Sequence, residues 1–426
     1  MELAYLVGLL LVLLVIGVPV AFALGVASLV TFAILDIPLV VAFQRMAAGM
    51  NVFSLMAIPF FVFAGDLMHR AGIAERLIRV ADAALGRTRG GLGQVNVASS
   101  MLLGAVSGSA IASVSAIGSS LGPMMREKGY DADYAVNVSV TSAITGLLIP
   151  PSHNMIIFAA AAGVSISLAD LFLAGVIPGV MTGLLLMVAA WLVAVRREYP
   201  RGSFPGWRAF ILAAASAVPG LIAAAIIVVG VLSGMFTPTE SSGIAVVYTV
   251  LVALLVYRSL SWEQFKAATT SAIRTTAMVM MIIGSAAAFG WLLALLEAPA
   301  QLAALLRGIT EDPLLLLLLI NVVLLLLGTF MDMAPLIIIT TPIFLPMATD
   351  LGMDPVHFGI MLILNLGIGL VTPPVGSVLF VGCAIGKIPI EQTVRTIWPF
   401  YCALLVALAA VIYIPSLSLW LPQLLN

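Results

Sequence analysis

Long apolar segments recur along the whole chain and constrain its fold more than any other feature. Residues 3–35, 171–195 and 210–232 each reach or exceed the roughly 20 apolar residues that a helix needs to span a bilayer. Charged residues make up 9% of the 426 positions, whereas soluble domains carry about 25%. We therefore expect an all-α polytopic membrane protein that contacts the lipid bilayer over most of its length.

Basic residues cluster between the apolar segments, and this clustering predicts the orientation of the chain. Residues 70–89 contain five arginines, and residues 196–208 contain four. By the positive-inside rule, both segments are expected to be cytoplasmic. Acidic residues at positions 311, 312, 350 and 354 flank a later segment, which is expected to open on the outer side. The first basic residue is Arg45, so the first apolar segment lacks the basic start of a cleavable signal peptide and is expected to be retained.

An internal repeat divides the chain into two related halves. A shift of 223 positions superimposes Pro150-Pro151 on Pro373-Pro374 and pairs further Gly, Pro and Asp residues. These further pairs are Pro123 with Pro346, Gly129 with Gly352, Asp131 with Asp354, Gly146 with Gly369 and Gly163 with Gly386. So many matches at one offset favour two copies of an ancestral unit, at 1–200 and 241–426, joined by a linker and connecting helix at 201–240.

Each half contains a long apolar segment with a polar centre, followed by a helix that a Pro-Pro pair interrupts. The long segments cover about 93–125 and 314–349, and Ser, Gly, Thr or Asp residues occupy their centres. Irregular backbone at membrane depth must line a cavity or be buried in protein, so each segment is predicted to form a re-entrant helical hairpin. The broken helices are predicted at about 132–168 and 355–386. Basic residues follow the first hairpin and acidic residues follow the second, which predicts inverted topology of the two halves.

The hairpin tips and helix breaks provide oxygen atoms that could bind a cation. Proline frees carbonyl groups of the preceding turn, and Na⁺, a hard ion, is served by carbonyl, hydroxyl and amide oxygens. The predicted Na⁺ ligands are Ser107, Ser142, Thr145, Ile149, Asp332, Asn365 and Thr372. The predicted substrate contacts are Ser107, Ser109, Ser152, His153 and Thr329. The alternative is that prolines only kink these helices and that the hydroxyls bond back to their own backbone.

Two carboxylates and two amphipathic segments need separate interpretation. Asp332 lies in apolar sequence, where burying a carboxylate is energetically costly, so we expect it to have a functional role. The alternative is that Asp332 only makes a structural hydrogen bond at a hairpin tip. Asp66 lies close to basic residues and is expected at the membrane interface. Residues 72–89 and 259–274 are amphipathic and are predicted to lie as helices in the interface plane. Thr239 and Glu240 predict the start of a helix.

Several motifs resemble one family of transport proteins over essentially the whole chain. They are Ala57-Ile-Pro-Phe-Phe61 with Gly65, Gly90-Gly91, Val95-Asn96-Val97, Ser107-Gly-Ser109, Ile149-Pro-Pro-Ser152, Gly234-Met-Phe-Thr-Pro-Thr-Glu240, Asp354-Pro-Val-His-Phe-Gly359 and Thr372-Pro-Pro-Val-Gly376. With them the chain resembles the large membrane subunit of tripartite ATP-independent periplasmic (TRAP) transporters. Members commonly carry an Asp shortly after the position of Ser109, whereas residues 110–115 contain no acidic side chain here.

The resemblance implies an elevator-type carrier of the ion-transporter superfamily in the bacterial inner membrane. It implies secondary active uptake of small organic anions, such as dicarboxylates or sugar acids, with Na⁺ as the coupling ion and without an organic cofactor. The implied partners are a small four-helix membrane subunit and a periplasmic solute-binding protein, and no nucleic acid is expected.

Two other functional classes remain as alternatives. A passive anion channel would use the same polar hairpins, although dead-end hairpins suit ion occlusion better than a continuous pore. An intramembrane aspartyl protease would need Asp66 and Asp332 as a catalytic pair, but the Gly-x-Gly-Asp signature of that class is missing. We therefore expect a transporter rather than an enzyme.

Overall fold

The first half of the chain folds into helices, as expected for an all-α membrane protein. A computed structural model describes residues 2–202, 204–308, 310 and 312–425, without the side chains of residues 54, 105–107, 303, 306 and 307. The helices up to residue 196 are α1 (Glu2–Val15), α2 (Val20–Ile34), α3 (Leu39–Met50), α4 (Ala57–Arg70), α5 (Ile73–Leu85), α6 (Gly91–Ser107), α7 (Ala110–Glu127), α8 (Ala132–Ser142), α9 (Thr145–Leu148), α10 (His153–Ala161) and α11 (Leu168–Arg196).

The remaining helices include the longest one of the described chain. They are α12 (Trp207–Leu232), α13 (Pro238–Leu251), α14 (Trp262–Leu295), α15 (Ala298–Arg307), α16 (Pro313–Gly328), α17 (Met333–Asp350), α18 (Pro355–Gly369), α19 (Ser377–Gly386), α20 (Ile390–Thr396), α21 (Trp398–Tyr413) and α22 (Ser416–Leu425). Within the described residues, five helices are long and apolar enough to cross a membrane, and three bent helix pairs raise this number to as many as eight. This confirms the predicted all-α polytopic membrane class.

Capping motifs set the starts of two helices in the middle of the chain. Thr237 and Glu240 form a capping box at the start of α13, in which each side chain bonds the backbone N–H of the other residue at 3.2 and 2.8 Å. The helix start predicted at Thr239 therefore lies at Pro238, one residue earlier, because Thr237 is the cap. Ser261 and Gln264 form a second capping box that begins α14.

Helix α14 differs from the separate helix in the interface plane that was expected over residues 259–274. The amphipathic residues 259–274 do not form a separate element, because they lead into one continuous helix of 34 residues. No proline and no glycine interrupts the first 22 residues of this helix, so the backbone hydrogen bonding continues into the apolar part. The other amphipathic segment forms α5, which buries Ile73, Leu77 and Ala81 against α6 and α12.

The helices pack into two groups. Helices α1–α4 and α12–α14 contact one another and form what we term the scaffold group. Helices α6–α11 and α16–α22 form the hairpin group, in which α6 packs on α7 and α16 packs on α17. Helix α5 packs on both α6 and α12, and α15 contacts both α14 and α17. Contacts of α4 with α6 and α10, and of α14 with α17, join the two groups directly.

Helix boundaries in the hairpin group are consistent with the 223-residue offset. Helix α17 begins and ends 223 positions after α7, and α18 begins 223 positions after α8. Asp131 and Asp354, which the offset pairs, are the N-cap residues of α8 and α18. The Pro150-Pro151 and Pro373-Pro374 peptide bonds are both cis.

Glycine contacts bring each hairpin close to the broken helix of its half. A Cβ atom on Gly146 would lie 2.6 Å from the Cα atom of Gly104, and a Cβ atom on Gly369 would lie 2.5 Å from the Cα atom of Gly328. At both points where a hairpin helix crosses the broken helix, there is therefore space only for glycine. Gly146 and Gly369 are also paired by the repeat offset.

An ion-pair cluster ties the end of α11 to the start of α8. Arg197 donates to both carboxylate oxygens of Asp133 and to Asp131, each at 2.9 Å, and Tyr199 donates its O–H to Asp131 at 2.7 Å. The hydrogen bonds to Asp133 raise the pKa of Arg197, so its charge is permanent. Burial and the Asp131 carboxylate raise the pKa of Tyr199 to about 12, so this phenol stays a hydrogen-bond donor at neutral pH.

Candidate functional site

A cavity of about 370 Å³ lies between the scaffold group and the two hairpin tips. The hairpin group contributes the N-terminal ends of α7, α10 and α17, and the scaffold group contributes faces of α4 and α14. The polar lining of the hairpin side consists of Ser109, His153, Asn154 and Asp332. Three predicted site residues, Ser109, His153 and Asp332, are therefore brought together although they lie far apart in sequence.

The tip of the first hairpin rests against the Pro-Pro break of the first half. Gly108 closes the turn between α6 and α7 with φ of +60°, and Ser109 caps α7 by accepting a backbone N–H at 3.3 Å. A Cβ atom on Gly108 would lie 3.1 Å from the carbonyl oxygen of Pro151 and 3.3 Å from His153. Asn154 donates its amide to the Gly108 carbonyl at 3.5 Å. These contacts of the Pro150-Pro151 break hold the tip of the first hairpin in place. Ser109, at this tip, is thereby held at the cavity.

The tip of the second hairpin is held by the corresponding break through its backbone. The carbonyl oxygen of Thr329 accepts the N–H groups of Val375 and Gly376 at 3.1 and 3.2 Å. The Thr329 hydroxyl donates to the backbone carbonyl of Leu326 at 2.8 Å. The predicted contact of Thr329 with substrate would therefore use a lone pair of the hydroxyl oxygen. Asp332 follows this tip as the N-cap residue of α17 and is exposed where it lines the cavity.

The electrostatics of the cavity combine one feature that attracts anions with one that attracts cations. The N-terminal ends of α7, α10 and α17 carry the positive ends of their helix dipoles, which favour a carboxylate. The carboxylate of Asp332 favours a cation in the same space. Among the described residues that line this cavity, none is Lys or Arg. An anion bound here would depend on helix ends, neutral polar side chains and any cation that accompanies it.

Three of the predicted Na⁺ ligands of the first half, Ser142, Thr145 and Ile149, belong to the hairpin group and are outside the cavity lining. Ser142 is fully buried, and its hydroxyl oxygen lies within hydrogen-bonding distance of Asn96 Oδ1 and Ser100 Oγ, at 3.2 and 2.9 Å. Thr145 donates its hydroxyl hydrogen to the backbone carbonyl of Ser142 at 2.7 Å. This is the bond to the helix's own backbone that was given as the alternative to ion binding. The hydroxyl oxygen of Thr145 can still accept a hydrogen bond or contact a cation. Ile149 is the last residue before the break and donates its N–H to Thr145 at 3.0 Å.

Ser152 and Ser107 are the remaining predicted site residues of the first half. Ser152 is fully buried, and its hydroxyl oxygen has no hydrogen-bond partner within the described part of the chain. Such an orphaned group is what a bound ion or ligand would satisfy. The side chain of Ser107 lies outside what the structure describes.

In the second half, Asp332 lines the cavity, whereas Asn365 and Thr372 are outside the cavity lining. Asn365, which the offset pairs with Ser142, donates to the side chain and the backbone carbonyl of Asn321 at 2.8 and 2.9 Å. Its own amide oxygen is buried without a partner among the described residues, and a hard cation would satisfy it. Thr372 donates to Ile368 at 2.7 Å and keeps its oxygen as an acceptor. The donor set of both halves therefore fits Na⁺.

The scaffold side of the cavity contains residues that the sequence analysis did not assign to the site. They are Asp66, His69, Ser271 and Thr275. Ser271 and Thr275 lie four positions apart, so a helical projection of α14 would have placed both on one face. Asp66 was expected at the interface, and it pairs with Arg70 at 3.1 Å while it also lines the cavity.

Comparisons with known proteins identify the family. Residues 7–417 match the sequence profile described as the DctM component of the tripartite ATP-independent periplasmic transporters. The chain is 40% identical to the C4-dicarboxylate TRAP transporter large permease protein DctM of Pseudomonas aeruginosa, over 87% of this chain and 86% of the relative. It is 38% identical to the sialic acid TRAP transporter large permease protein SiaM of Vibrio cholerae, over 97% of this chain and 96% of the relative.

A solved structure of low sequence identity supports the fold alone. The YdaH transporter of Alcanivorax borkumensis has a TM-score of 0.61 with 15% identity and is covered over 87% of each chain. The family resemblance expected from the motifs is confirmed by the match over nearly the whole chain. This protein therefore belongs to the DctM family and is the large permease component of a TRAP transporter, a multi-pass protein of the inner membrane.

Proposed function

We propose that this chain moves small organic anions across the inner membrane together with Na⁺, as the translocating subunit of a secondary active transporter. The observation that carries the proposal is the cavity of about 370 Å³ in which three helix N-termini meet Asp332. The relatives named for C4-dicarboxylates and for sialic acid suggest a carboxylate substrate for this chain as well.

The charges in the cavity support coupling to Na⁺. A carboxylate near the helix N-termini gains about 0.3–1 kcal/mol from each dipole, but it also meets the negative charge of Asp332. A cation at Asp332 removes this repulsion, so each of the two ligands would bind more tightly when the other is present. Such reciprocal coupling lets an inward Na⁺ gradient drive uptake.

The Na⁺ ions would be held by oxygen atoms of the helix breaks. For the first half we propose Ser107, Ser142, Thr145 and Ile149, and for the second half Asp332, Asn365 and Thr372. The unpaired amide oxygen of Asn365 supports this assignment. The substrate would contact Ser107, Ser109, Ser152, His153 and Thr329, and the unpaired hydroxyl of Ser152 supports this second set.

Transport would use an elevator movement of the hairpin group against the scaffold group. Both hairpin tips belong to the hairpin group, whereas α4 and α14 close the cavity from the scaffold group. Helices α5 and α15 contact both groups and would act as connecting arms. The two halves would be inverted repeats, and a small four-helix membrane subunit and a periplasmic solute-binding protein would complete the transporter.

Uptake into proteoliposomes tests the proposal. The chain is reconstituted with its small subunit, the binding protein is added outside, and radiolabelled succinate and N-acetylneuraminate serve as probes. An inward Na⁺ gradient should increase the initial rate of at least one probe by about tenfold or more over choline, a size typical of ligand coupling. Equal rates in Na⁺ and choline, or a need for ATP hydrolysis, would contradict the proposal. Counterflow of labelled probe against unlabelled probe distinguishes this carrier from a passive channel, which would show no exchange.

A further inference from the structure

The Asp66–Arg70 ion pair lies at the edge of the cavity, on the scaffold side. Arg70 Nε and Asp66 Oδ2 are 3.1 Å apart, and the two side chains are 31% and 20% exposed. We propose that Arg70 neutralises Asp66, so that a negative charge at the cavity mouth does not repel an organic anion that enters or leaves there. This inference rests on the proposed function and assigns a role to an ion pair outside the hairpin tips, of which Asp66 lines the cavity.

The pair lies at the end of α4 that adjoins the arginine-rich segment, and we take the cavity mouth to open on that side. Asp66, His69 and Arg70 lie in the last two turns of α4, and the arginine-rich residues 70–89 follow directly. By the positive-inside rule this side is cytoplasmic, so an imported anion would pass the pair on its way out of the cavity.

The C-terminal end of α4 makes a neutralising cation necessary. The carbonyl groups at a helix C-terminus carry the negative end of the dipole and, like Asp66, repel an anion. Arg76 already donates to the carbonyl of Ala71, the C-cap residue of α4, at 3.2 Å, and to that of Gly72, the N-cap residue of α5, at 2.6 Å. Its guanidinium lies 3.7 Å from the centre of the Tyr257 ring. Arg70 is the guanidinium that faces Asp66 itself.

A role in stability is a weaker explanation of the pair. Partly exposed ion pairs four residues apart on a helix contribute little to folding. Removing Arg70 alone, however, leaves a net negative charge at the mouth. A unit charge acting over several ångströms in a partly hydrated site changes the local concentration of an anion by about three- to tenfold.

Charged thiol reagents measure this potential without requiring transport. The full chain with its small subunit, in proteoliposomes, carries Ser271→Cys on α14, which lines the same scaffold side of the cavity as Asp66, and Cys383 and Cys402 are replaced by Ser. The readout is the ratio of modification rates by anionic sulfonatoethyl and cationic trimethylammonioethyl methanethiosulfonate. Arg70→Gln should lower this anion-to-cation ratio about three- to tenfold, and Asp66→Asn should raise it. The double variant should return the ratio to within about twofold of its starting value, because both charges are gone.

A matched charge removal and a transport measurement complete the test. Arg79→Gln removes an equal charge from the exposed face of α5 and should leave the ratio unchanged. Arg70→Gln should also raise the probe concentration for half-maximal exchange from the cytoplasmic face. The inference would be overturned if Arg70→Gln left the anion-to-cation ratio unchanged, or if the ratio of the double variant were as low as that of Arg70→Gln. If the ratio shifts as expected but uptake is equal in Na⁺ and choline, the proposed function fails while the charge assignment stands.

Discussion

Ser109 and Asp332 occupy equivalent positions, because the repeat offset of 223 joins them. Each is the N-cap residue of the second helix of its hairpin, a position where both residue types are favoured for the same physical reason. The difference between them gives the cavity its asymmetry. Ser109 presents a neutral hydroxyl, whereas Asp332 presents a charge that a cation must balance.

At this scale we predict that Asp332→Asn impairs transport more than Asp66→Asn. Asparagine keeps the shape of the side chain but removes the charge that would hold Na⁺, and the loss of about 1.4 kcal/mol of coupling lowers a rate about tenfold. Asp66→Asn should leave the uptake rate within about twofold of wild type, because Asp66 lies on the scaffold side of the cavity and is not one of the proposed Na⁺ ligands. Initial rates of Na⁺-driven uptake at equal expression measure both effects. Equal rates in the two variants would remove Asp332 from the proposed site.

The sequence predicted the hairpin side of the cavity better than its scaffold side. Asp332 and Ser109 stand out because polar residues in long apolar segments are costly. Ser271 and Thr275 do not stand out, because α14 also carries Thr and Ser residues that face elsewhere and nothing local shows which face meets the hairpins. Ser142 and Asn365 were predicted as ligands, and the structure shows them in buried hydrogen-bond networks.

The crossing of α6 with α9 defines the architecture at the scale of single elements. Gly104 and Gly146 approach so closely that a side chain on either has no space, and Gly328 and Gly369 form the equivalent crossing of α16 with α18. This close approach sets the distance between each hairpin and its broken helix. It therefore also determines where the hairpin tips meet the Pro-Pro breaks.

Gly146→Ala is predicted to destabilise the protein. The new Cβ atom would lie 2.6 Å from backbone of Gly104, which cannot move as a flexible side chain could, and such overpacking costs about 1–3 kcal/mol. Gly243→Ala in α13 is the control, because nothing lies within 4 Å of its Cβ position and alanine is the better helix former. The apparent melting temperature in detergent should fall for the first variant and stay equal or rise for the second. A Gly146→Ala protein as stable as wild type would mean that this crossing is looser than described.

Element boundaries could be read from the sequence where proline, glycine and capping residues mark them. The expected hairpins at about 93–125 and 314–349 correspond to α6–α7 and α16–α17, because the polar tips interrupt otherwise continuous apolar runs. The amphipathic residues 259–274 were expected as a separate helix, and the sequence holds no breaker that would have indicated either outcome. Periodicity shows which face of a helix is apolar but not whether the helix continues.

At the scale of the whole molecule, the cavity lies where two packed groups of helices meet. Its polar lining is shared between the hairpin tips and the scaffold helices α4 and α14. If the hairpin group moves, the tip residues travel with the substrate, whereas Asp66, His69, Ser271 and Thr275 stay behind. The composition predicted a membrane protein, but this division depends on contacts between residues far apart in sequence, which no local pattern reveals.

The central claim is that one cavity at the hairpin tips is exposed to each side of the membrane in turn. Ser109→Cys and Met331→Cys, placed singly in a chain without Cys383 and Cys402, can be probed with impermeant thiol reagents from each side while Na⁺ and probe anions are varied. Each cysteine should react from both sides, and conditions that increase its labelling from one side should decrease its labelling from the other. Labelling of both cysteines from the same single side under every condition would contradict it.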